Sequence, residues 1–155
     1  MKIMITILAR CLLTGCGAYE AYQQMKPKAL TPPEAIGEFQ RAAAIPASGI
    51  TGLTAYRTSA DHFGDYSVVM TLGITSNRLA TLPNEVIQGW SATNKWSTIS
   101  EPFDLARRNS GLRGQTNWVV PAGARLLEHW GPGDRHKIMG IDETNRVVYF
   151  YSCTW

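Results

Sequence analysis

Residues 66–74 alternate strictly, with Tyr66, Val68, Met70, Leu72 and Ile74 on one side and Ser67, Val69, Thr71 and Gly73 on the other. A repeat of two sustained over such a run fits a β-strand with one apolar face and conflicts with the 3.6-residue repeat of a helix. The chain must therefore build a sheet around this segment.

The same pattern returns after Thr116. Segments 117–120, 124–130, 135–142 and 146–153 read as strands, separated by Pro121-Ala122-Gly123, Gly131-Pro132-Gly133-Asp134 and Asp142-Glu143-Thr144-Asn145. Links this short imply antiparallel pairing, because parallel strands need long crossovers. Upstream, 50–57 is a further strand, weakened by Gly52, and the turn-rich 58–65 makes 50–74 a hairpin.

Helical spacing occupies two other regions. Thr31 followed by Pro32, Pro33 and Glu34 combines a hydroxyl cap, prolines where no amide donor is needed and an acid in the first turn. A helix over 32–44 is expected to dock through Ile36, Phe39 and Ala43, and Pro46 and Gly49 end it. Between 84 and 110 two short helices are expected. Asn84 caps one presenting Val86, Ile87 and Trp90, and Ser100 caps another with Phe103 and Ala106 on one face and Gly111 beyond its end. The predicted architecture is α+β: an antiparallel sheet of hairpins with an N-terminal helix and a short helical insert packed on it. A highly curved sheet or partial barrel is the alternative.

The N-terminal segment sets an address. Lys2 precedes an apolar run of Ile3, Met4, Ile5, Ile7, Leu8, Leu12 and Leu13, which ends at Thr14-Gly15-Cys16. The run is too short for a permanent membrane span and has the layout of a secretory signal. Leu13-Thr14-Gly15-Cys16 resembles the lipobox of bacterial lipoprotein precursors, although Arg10 departs from the pattern by placing a positive charge in the run. The resemblance implies cleavage before Cys16 and acylation of Cys16 with palmitate-like chains, several of which anchor a protein durably. It divides the chain into a signal peptide (1–15), a lipidated tether (16–31) and a single domain (32–155). It also places the protein in the cell envelope, held by lipid on a membrane, with the outer membrane facing the periplasm as one destination. Gly17, where Asp is absent, is the residue that bears on this.

Maturation changes the composition. The 155-residue chain carries 15 basic and 12 acidic residues, and loss of Lys2 and Arg10 leaves 13 against 12. With no basic cluster longer than Arg107-Arg108, nucleic acid is not an expected partner. Cys11 leaves with the signal and Cys16 is acylated, so Cys153 is the remaining thiol and no intramolecular disulfide is expected. Cys153 lies in an apolar run and reads as a buried strand residue.

Catalytic signatures are weak. There is no Gly-x-Ser-x-Gly, and Gly111 to Gly114 lacks the Lys-Ser/Thr of a phosphate-binding loop. His62 lies beside Asp61, and His129 and His136 flank Asp134, so these residues are the candidates for acid/base work if the 58–65 and 129–136 loops meet. Their spacing matches no zinc motif; no metal or other cofactor is expected. Among five tryptophans, Trp96 and Trp130 adjoin polar or turn segments and are the candidate partner-binding anchors. The expected function is a non-enzymatic binding or assembly domain for an envelope protein or cell-wall partner. The alternative is a small periplasmic hydrolase or metal-dependent enzyme using the His and Asp residues of these loops.

Overall fold

The computed structural model describes residues 27–59, 66–105, 118–131 and 135–154. Among the described residues are two helices, α1 (Pro32–Ala43) and α2 (Ser76–Trp90). Nine strands accompany them: β1 (Lys28–Ala29), β2 (Ile50–Ser59), β3 (Tyr66–Ile74), β4 (Ser97–Thr98), β5 (Phe103–Asp104), β6 (Val119–Val120), β7 (Arg125–Gly131), β8 (Arg135–Asp142) and β9 (Val147–Thr154). The fold is α+β. Seven strands form one antiparallel sheet in the order β1-β2-β3-β9-β8-β7-β4, and β5 and β6 form a small second sheet.

Period-two alternation gives the large sheet two apolar faces. Val68, Met70, Leu72, Met139, Ile141, Val148 and Phe150 share one buried cluster with Ala35, Phe39 and Ala43 of α1 and Leu82, Val86 and Trp90 of α2. Their alternates Val69, Ile138, Tyr151 and Cys153 share the other with Leu105, Trp118 and Val120. Residues 66–74 are therefore apolar on both sides at their centre, and Val69, assigned by alternation to the polar side, is buried.

Helix α1 begins as expected. Thr31 donates its backbone N–H and its hydroxyl to the Glu34 carboxylate, both at 2.8 Å, and these bonds hold Glu34 below the usual carboxylate range. Of the expected docking stripe Phe39 and Ala43 are buried, together with Ala35 and Ala42, whereas Ile36 is 41% exposed, which corrects that one position. Both sets of positions satisfy helical spacing. The small alanines allow close approach, so that Phe39 meets Phe150 edge to face at 5.6 Å.

The helical insert also differs from expectation. Helix α2 starts at Ser76, where the Thr75 hydroxyl accepts from the Arg78 N–H, and runs through Pro83 rather than starting at Asn84. Pro83 interrupts the backbone hydrogen bonding of the helix, yet Leu82, Val86 and Trp90 bury one stripe that spans it. The Trp90 indole N–H donates to the Ala43 carbonyl at 2.6 Å, tying the C-terminal ends of the two helices together. At the start of the helix expected from Ser100, Phe103 and Asp104 instead form β5: Phe103 pairs with Val120 and makes a T-shaped contact with Trp118 at 6.2 Å, and Leu105 is helical. Ala106 and Gly111 lie outside the described residues.

Two glycines have steric reasons. Gly52, at φ +73°, carries the register shift between Thr51 and Leu53, so β2 continues through a bulge instead of ending. A Cβ on Gly140 would stand 2.6 Å from a Val120 methyl, so the second sheet closes on β8 only where no side chain intervenes. At the N-terminal side, Lys28 and Ala29 already pair with Arg57 and Tyr56, so the last residues of the expected tether belong to the sheet.

Candidate functional site

The β7–β8 hairpin pairs Trp130 with His136, His129 with Lys137 and Glu128 with Ile138. Alternation then puts Glu128, Trp130 and His136 on one face and His129 and Lys137 on the other. The two histidines that flank Asp134 in sequence therefore face away from each other across the sheet. They do not form one site.

On the first face the side chains form an ordered stack. The Trp130 indole lies on the His136 imidazole with ring centroids 3.9 Å apart and planes inclined by 7°. His136 Nε2 is 2.7 Å from Glu128 Oε1, and Tyr151 abuts the imidazole edge-on at 5.6 Å. His136 is 9% exposed, whereas Trp130 is 58% exposed. The carboxylate fixes the imidazole, the imidazole supports one indole face, and the other indole face meets solvent. Glu128 and Tyr151 were not legible as partners from neighbours in sequence. The hairpin register that places residue 128 diagonal to 136 carries the signal.

On the opposite face His129 sits 6.0 Å from the Trp90 ring, and the Lys137 ammonium lies 5.6 Å from the same ring. Burial, and secondarily Lys137, pushes the His129 pKa down. Burial, and secondarily Arg135, does the same for Lys137.

Trp96 is placed differently from Trp130. Its indole N–H donates to the Pro83 carbonyl at 3.2 Å, the Arg125 guanidinium lies 5.8 Å from its ring, and the side chain packs against the helix-face cluster. Half-buried in this way, it anchors the chain after α2 to the domain.

Cys16, Asp61, His62 and Asp134 lie outside the described residues. The strand ends that border residues 60–65 and 132–134, Ser59 with Tyr66 and Gly131 with Arg135, share one end of the sheet. Cys153 is a buried thiol on β9, opposite His136 in register. Among the described residues, no three His, Cys, Asp or Glu side chains are grouped to hold a metal ion, and no helix is long and apolar enough to cross a membrane. Three open concavities lie at the other end of the sheet, around residues 143–146 and the first turns of α2, and no histidine lines them.

No protein family, curated protein or solved structure matches the chain.

Proposed function

We propose that the chain is a membrane-anchored cell-envelope lipoprotein, acylated at Cys16, whose single domain is a non-enzymatic binding module. In this reading α1 and α2 are the layer packed behind the sheet, and Trp130 is the contact in front. The observation that carries the binding role is the 58% exposed indole of Trp130 held against a buried imidazole. A large aromatic surface fixed before contact loses little side-chain entropy on binding, which favours it as an anchor.

The paired His136 and Glu128 support a second reading, proton transfer in a small hydrolase, because an imidazole oriented by a carboxylate is an acid/base device. Trp130 covers one imidazole face and His136 is buried, which weighs against this reading.

The test uses the full chain in its native envelope. Mass analysis of the N-terminus is expected to show an acylated Cys16, and affinity capture by the intact chain is expected to exceed that by Trp130→Ala. An unprocessed Met1 overturns the anchor, and equal capture by both proteins overturns the binding surface. Hydrolytic activity that is abolished in His136→Asn would favour the second reading.

A further inference from the structure

We draw no further inference here: the strongest candidate, the open concavity at the first turn of α2 lined by Thr75, Ser76, Asn145 and Arg146, rests on a helix N-terminus with no second observation that points to a ligand.

Discussion

Trp130 and His136 face each other across the β7–β8 hairpin as a parallel stack, with centroids 3.9 Å apart. One ring is buried and the other exposed, so the contact joins the interior of the domain to its surface. Glu128 holds the imidazole from the side, which leaves the indole supported on one face and open on the other.

The two tryptophans of polar segments should separate in mutational tests. Trp130→Ala removes one aromatic stack and little buried area, for a cost of about 1 kcal/mol in urea unfolding, with partner binding lost. Trp96→Ala removes a half-buried ring and its bond to Pro83, for a larger cost of about 2–3 kcal/mol, with binding kept while the domain stays folded. Equal effects on stability and binding for the two variants would contradict the assignment.

Gly140 is expected to be intolerant of even one methyl group. Gly140→Ala sets its Cβ against both Val120 methyls and should lower stability by about 1–3 kcal/mol. Adding Val120→Ala should recover part of that loss, so the double variant is more stable than the sum of the two single changes predicts. Strict additivity in denaturant unfolding would show that β6 does not pack on Gly140.

The helix face of the hairpin should shape the pH dependence of stability. Lys137 has a folded-state pKa below its ordinary value, so the unfolded chain binds more protons between the folded value and about 10.5, and stability rises with pH across that window. Lys137→Met should raise the unfolding midpoint at neutral pH and flatten the alkaline rise. His129 is also lowered, so stability falls as pH drops from about 6.5 through its folded value, and His129→Gln should flatten that limb. Urea midpoints across the pH range read both effects; a wild-type alkaline slope preserved in Lys137→Met contradicts the first.

Periodicity and turn chemistry made much of the sheet legible. Residues 66–74 and 135–142 form strands with the bounds their alternation predicts, because both termini of each are marked by turn residues. Helix α2 starts earlier than the Asn84 cap signal suggests, because Thr75 caps it and packing of Leu82, Val86 and Trp90 carries it through Pro83. The Phe103 segment was misread because its ring serves a contact with Trp118, some fifteen residues away and invisible to local spacing. At the site, sequence proximity linked His136 to Asp134 and His129, whereas strand register sends His129 to the opposite face and brings Glu128 to His136. Exposure at Trp130 was legible from the adjoining turn. The imidazole beneath it was not.

The most direct measurement places a photoreactive benzophenone side chain at position 130 of the full chain in its native envelope, with position 119, also exposed, as the comparison. An adduct of defined mass is expected from position 130 and none from position 119. Adducts from neither position, or equally from both, would contradict the claim that the outer face of Trp130 is where this protein binds.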